Sequence, residues 1–163
     1  MMAIKMKLLE NKIKIFLFLT PFFTGLYYEQ LSCAAAIVLL VFLLYDRKIN
    51  GQLILPDTQL LLLTSSVSLL YGLSSLWAID SGMALVGFSK FLVLPLFAFA
   101  LAQQTDVEKQ SLYSVLPLCG ACMTAGCIVL SMIPALKDQF FVNSRLAGFF
   151  QYPNTYAIFL LTC

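Results

Sequence analysis

The chain has 163 residues, 61% of them apolar and 11% charged, with a formal net charge of +2 and a mean hydropathy of +0.91. Soluble domains run near 45–50% apolar and about 25% charged, and a globule of this size leaves too much of itself exposed to hide such a surfeit of apolar surface. The composition therefore excludes an ordinary soluble domain. The small net charge, with no basic stripe interleaved with aromatics, argues against nucleic-acid binding.

Charge spacing predicts the elements. Met1–Lys14 carries Lys5, Lys7, Lys12 and Lys14 and reads as a basic cytoplasmic N-terminus. It has no convincing signal-peptide cleavage site and fits a first anchor better. Fourteen uncharged residues then lie between Lys14 and Glu29, and 16 between Glu29 and Asp46. One reading is a hairpin, with helices at about Ile15–Tyr28 and Leu31–Tyr45 and a turn at Glu29-Gln30. The other is one long tilted helix with Glu29 inside the bilayer, at a cost of roughly 2.5–3.5 kcal/mol. The hairpin is preferred. Asp46–Pro56, with Asn50-Gly51, reads as a polar cytoplasmic loop.

The 22 uncharged residues between Asp57 and Asp80 predict a helix over about Thr58–Ala78, closed by an external turn at Asp80-Ser81-Gly82. A fourth helix is expected over about Met83–Ala102, a cytoplasmic loop over Gln103–Gln110, and a fifth helix over about Ser111–Ile133. Pro134–Tyr152 is expected to be an external segment. Pro153 suits the first turn of a sixth helix, which stops at Cys163. Runs of roughly 20 apolar residues cross a bilayer, and the lack of water there forces them to be helical. The expected fold is thus an all-α, polytopic transmembrane bundle of about six helices over residues 15–163, the last one truncated. With the hairpin, seven Lys and Arg fall inside and two outside; with a single first helix the count is six against three. The positive-inside rule thus leans weakly to the hairpin and a cytoplasmic N-terminus.

Few residues offer chemistry. There is no histidine, which removes His-carboxylate metal sites and Ser-His-Asp or Cys-His catalysis; no metal or cofactor is expected. Cys119-Gly-Ala-Cys122 matches C-x-x-C, but it sits among Pro117-Leu118 and Met123-Thr124-Ala125-Gly126. Close packing of helices explains that run better than redox chemistry. Lys90 is a cation inside a span; it is a functional candidate, set against snorkelling of its long stem to the surface.

The richest stretch is Asn143–Ala157, which sets Arg145, Gly148, aromatics, Pro153 and Asn154 at the entry of a helix. An arginine fork matches phosphate oxygens, glycine admits a close backbone approach, and a helix N-terminus favours anions. An interfacial loop with an aromatic belt and an anchoring arginine fits the same residues, and on residue types alone the two stand level.

Arg145-Leu-Ala-Gly148-Phe-Phe150-Gln-Tyr-Pro153-Asn154 resembles the arginine-glycine-phenylalanine-proline-asparagine signature of the O-antigen ligase and polysaccharide polymerase family. Leu73-Ser-Ser-Leu-Trp77-Ala78-Ile-Asp80, followed by Ala84 and Lys90, resembles that family's other recurring block. The two occur in the family's order, and the resemblance covers roughly residues 60–163. It implies a multi-pass glycosyltransferase of the cell envelope, in the inner (cytoplasmic) membrane. Such an enzyme takes a glycan from an undecaprenyl-diphosphate carrier at the outer face and passes it to a lipid or glycan acceptor. On that basis Arg145 is the catalytic candidate that stabilises the diphosphate, with Asn154, Tyr152 and Lys90 as candidate substrate-binding residues. Members of the family have ten or more helices and a large external loop with further arginines and often a histidine. The chain is therefore expected to be a fragment, inactive alone. A small transporter component and a non-catalytic membrane partner packing through Cys119–Cys127 stay open beside this reading.

Overall fold

The computed structural model describes residues 11–23, 26, 28–142 and 145–163, with the side chains of 137 and 138 left aside. The expected residues 1–10 of the basic N-terminus lie outside the described residues. The chain divides into two compact units, one of residues 1–27 with 107–163 and one of residues 28–106.

Among its described residues the 28–106 unit is built of helices and short connections, with no strand. Helix α2 covers Glu29–Asn50, α3 Thr58–Ser74, α4 Ser81–Phe91 and α5 Val93–Ala102. Glu29 is not a turn residue; it opens α2, where a carboxylate meets the positive end of the helix dipole. The stretch ahead of it is not helical at Tyr28, whose extended backbone (φ −75°, ψ 138°) starts α2. The single long helix through Glu29 is thereby ruled out. At the other end α2 runs through Asp46 to Asn50, past the expected loop boundary. Arg47 and Lys48 in its last turn suit the negative end of the dipole, and Gly51, left-handed at φ 76°, ends it.

Helix α3 begins as expected at Thr58, with the Asp57 carboxylate accepting from the Gln59 N–H at 2.9 Å. It ends four residues early. The Ser74 and Ser75 hydroxyls donate to the carbonyls of Tyr71 and Gly72, and the chain tightens into three-residue bonds from Leu76 to Leu73 and Trp77 to Ser74. The Asp80 carboxylate then caps α4 by accepting from the Met83 N–H at 3.0 Å.

The expected fourth helix is split at Leu92. Pro95 has no N–H to give the Phe91 carbonyl, so the ladder is interrupted one turn ahead of it. Helices α3 and α4 pack glycine to aromatic in both directions. A Cβ on Gly72 would lie 3.2 Å from the Phe88 ring, and one on Gly87 would lie 2.5 Å from Tyr71. Tyr71 also stacks on Phe91, with ring centroids 5.0 Å apart. The Ser68 hydroxyl of α3 is buried and finds no partner among the described residues.

The other unit gathers α1 (Lys12–Leu19), a 3₁₀ turn at Thr20–Phe22, α6 (Asp106–Leu112, starting at the last residue of the other unit), α7 (Val115–Ser131), α8 (Pro134–Phe140) and α9 (Pro153–Thr162). Helix α1 starts three residues earlier than expected and is eight residues long, because Pro21 and the 3₁₀ turn close it. The expected fifth helix is interrupted at Tyr113-Ser114, four residues ahead of Pro117, by the same proline effect seen at Pro95. The expected external segment is not featureless. It holds α8 and a two-stranded antiparallel ladder, β1 (Phe141–Val142) and β2 (Arg145–Leu146), with Phe141 opposite Leu146 and Val142 opposite Arg145. This pair is the one departure from an all-α chain among the described residues. Pro153 opens α9, as its position predicts.

The protein is thus mostly helical. Glu29–Asn50, Ser81–Ala102 and Asp106–Ser131 are long and apolar enough to cross a membrane, and Thr58–Ser74 is a shorter apolar helix.

Candidate functional site around the Arg145 hairpin

The segment that carries Arg145 is held from below by α7 and α9. The Phe140 carbonyl, at the end of α8, accepts from the backbone N–H groups of both Ala147 (2.8 Å) and Gly148 (3.3 Å). This folds the chain sharply just after β2. Gly148 adopts the left-handed region at φ 61°. A Cβ there would lie 3.2 Å from the Cys127 sulfur and 3.2 Å from two ring carbons of Tyr156. Both its dihedral and its surroundings therefore require glycine.

Tyr156 links this turn to α7. Its hydroxyl lies 2.9 Å from Thr124 Oγ1, and Thr124 Oγ1 donates to the Gly120 carbonyl at 2.8 Å. A threonine hydroxyl has one proton. Since that proton goes to Gly120, Tyr156 must be the donor to Thr124. The Cys127 sulfur lies beside the same turn, 3.2 Å from where a Gly148 Cβ would stand. A small polar network therefore lies inside an otherwise apolar cluster of Cys119, Met123 and Tyr156, with Phe18, Phe22, Phe149, Phe150 and Phe159 packed around it. Phe149 makes edge contacts with both Phe22 (5.3 Å) and Phe140 (5.4 Å).

On this base Arg145 is exposed, as are Tyr152 and Asn154 at the start of α9. Arg145 comes from β2, Tyr152 is the residue before α9, and Asn154 is its second residue, so all three belong to one unit. Lys90 lies in the other unit, half-buried in the last turn of α4, where a cation complements the helix dipole. Asp80 of the upstream block acts as a helix cap, and Trp77 beside it is 73% exposed.

All five cysteines are free. Cys119 is fully buried and its thiol donates to the Phe18 carbonyl at 3.3 Å, whereas Cys122 is exposed. The C-x-x-C spacing thus joins one packed and one outward-facing thiol, in keeping with the packing reading. Gly120 lets α9 approach, with the Cys163 sulfur 2.9 Å from where its Cβ would stand. Beside it runs an open groove of about 490 Å³, lined by Pro117, Gly120, Ala121, Thr124, Leu160 and Cys163 among others. Among the described residues no three Cys, Asp or Glu side chains cluster as a metal ion would need.

Comparison with protein-family models, with curated proteins and with solved structures finds no match.

Sequence reasoning found Arg145, Gly148 and Pro153 but missed Thr124 and Tyr156 as a pair. The available signal was a hydroxyl-bearing residue in each of two neighbouring apolar runs, where a polar group without a partner is costly.

Proposed function

We propose that the chain is a membrane glycosyltransferase component of the O-antigen ligase or polysaccharide polymerase type, which receives a polyprenyl-diphosphate-linked glycan at the Arg145 hairpin. The observation that carries this reading is the mounting of Arg145. An exposed guanidinium stands three residues before a locked left-handed glycine turn, in the same unit as exposed Tyr152 and Asn154 at a helix entry. In glycan transfer, an acceptor hydroxyl attacks the sugar carbon bonded to phosphate and gives up its proton to solvent or to the departing phosphate oxygen. The carbon–oxygen bond to the diphosphate breaks, and the leaving group keeps the electron pair. A planar guanidinium pairs with two phosphate oxygens as that charge grows. Tyr152 and Asn154 would meet sugar hydroxyls. The setting is the inner membrane, with the N-terminus cytoplasmic and the Arg145 segment outside.

The test is capture of a photoreactive polyprenyl-diphosphate sugar by the intact chain in membranes, together with labelling of a cysteine placed beside Arg145 by an impermeant thiol reagent. Labelling in intact cells and capture lowered about tenfold or more in Arg145→Ala are expected, the scale set by loss of charge-assisted hydrogen bonds to the bound diphosphate. Labelling only after permeabilisation, or capture unchanged by Arg145→Ala, refutes the proposal.

A second reading, a non-catalytic partner for a larger membrane protein, is favoured by the small-residue groove along Pro117–Ala125, the kind of surface against which transmembrane helices pack. Under that reading Arg145→Ala leaves the association intact and Gly120→Leu abolishes it.

A further inference from the structure

The connection between α2 and α3 carries an arrangement that an aqueous loop does not need. Ile54 and Leu55 are 59% and 73% exposed, and they follow a helix end bearing exposed Arg47 and Lys48. Two neighbouring aliphatic side chains thus point outward from a segment read from sequence as a polar loop.

The backbone of the same residue is fully paired. The Ile54 N–H donates to Gln103 Oε1 at 3.0 Å, and Gln103 Nε2 donates back to the Ile54 carbonyl at 2.8 Å. The second proton of Nε2 goes to the Phe99 carbonyl at 2.9 Å. The carboxamide of Gln103 therefore imitates a neighbouring strand, and both of its protons are in use. An exposed loop peptide in water has its hydrogen bonds supplied by solvent. One in the low-dielectric margin of a bilayer must find them in the protein, because an unpaired backbone group there is costly.

The surroundings indicate the same environment. Gln103 follows α5, whose ten residues are all apolar, and Ile54 is thereby tied to the end of a segment able to cross a membrane. Arg47 and Lys48, exposed in the last turn of α2, carry charges suited to anionic headgroups. The exposed apolar face of α2 runs on through Leu44, Tyr45 and Ile49 towards this connection.

We infer that Ile54 and Leu55 form a wedge seated at the headgroup–acyl boundary of the bilayer, with the Gln103 side chain taking the place of water at the Ile54 peptide. The surface is a lipid-binding one, and it is independent of any glycan chemistry at Arg145.

The test uses the full chain in vesicles of phosphatidylcholine and phosphatidylglycerol. Trp77→Phe removes the single native tryptophan, and Leu55→Trp places a reporter on the wedge. Lipids brominated near the top of the acyl chain should quench that reporter about twofold or more, while aqueous iodide quenches it to about one third of the extent seen for free tryptophan. Strong iodide quenching with no effect of brominated lipid would put the residue in water and overturn the inference. Protection from both quenchers would mean that protein, a second copy included, covers the site, and would overturn it equally. Adding Gln103→Ala should raise iodide access about threefold with helical circular dichroism unchanged, since water must then reach the Ile54 peptide. No change in access would remove Gln103 from that role.

Discussion

Replacing Gly148 with alanine should loosen the Arg145 hairpin from its base far more than a change of one methyl group suggests. Two effects add. A non-glycine residue at φ 61° carries about 1–2 kcal/mol of left-handed strain. The new methyl would also stand 3.2 Å from the Cys127 sulfur and from two atoms of the Tyr156 ring, and overpacking of this kind typically adds about 1–3 kcal/mol. The ring cannot retreat easily, because its hydroxyl is held by Thr124. A combined loss of about 3 kcal/mol corresponds to about a 100-fold rise in the open population. Cys127 is the reporter, being fully buried, with the exposed Cys122 as an internal standard. In detergent, alkylation by N-ethylmaleimide followed by peptide mass spectrometry should show Cys127 reacting about 100-fold faster in Gly148→Ala, with Cys122 unchanged. Gly51→Ala provides the comparison. That glycine is left-handed too, at φ 76°, but nothing lies within 4 Å of its Cβ position, so the loss should stay near 1 kcal/mol. A rise of less than about threefold at Cys127 would refute the claim that the turn is locked by contact as well as by dihedral.

Other perturbations follow from the packing. Gly87→Ala drives a methyl into Tyr71 and should destabilise the α3–α4 pair by about 2–3 kcal/mol in denaturant titration; Tyr71→Leu in the same chain should recover part of the loss. Ser68→Ala removes a buried hydroxyl without a partner among the described residues and should stabilise the 28–106 unit by up to about 1 kcal/mol, read as a higher unfolding midpoint. Tyr156→Phe and Thr124→Val should each weaken the α7–α9 contact by about 1 kcal/mol. Since they remove the same hydrogen bond, the double variant should fall short of the sum, and full additivity in the cycle would show the bond contributes nothing.

Much of the helical layout could be read from charge spacing: the uncharged runs 30–45, 58–79 and 111–136 are helical over most of their length, whereas α1 fills only the start of the run after Lys14. The boundaries were less legible where polar residues continue a helix. Asp46-Arg47-Lys48 looked like loop, yet basic side chains are at home in the last turn of α2. The breaks at Leu92 and Tyr113-Ser114 could have been found from Pro95 and Pro117, each of which leaves the carbonyl one turn ahead without its donor. The ladder of Phe141–Val142 with Arg145–Leu146 has almost no local signal, since two residues per strand are too few to show alternation. At the site, Arg145, Gly148 and Pro153 stood out by type. The Tyr156–Thr124 bond did not, because residues 32 positions apart meet only through the packing of α7 on α9.

The bond from the Cys119 thiol to the Phe18 carbonyl spans 101 positions of sequence. Residues 28–106 form a unit from one continuous stretch, whereas the other unit must join both flanks of the chain. At about 5–20 residues per second of synthesis, Phe18 waits several seconds or longer for its partner to emerge. The continuous unit can therefore mature on the ribosome first, and the aromatic base beneath Arg145 is among the last parts of the protein to close. A defect that slows translation or stalls insertion after Asp106 would leave Phe18 and Phe22 uncovered and open to capture by chaperones or proteases.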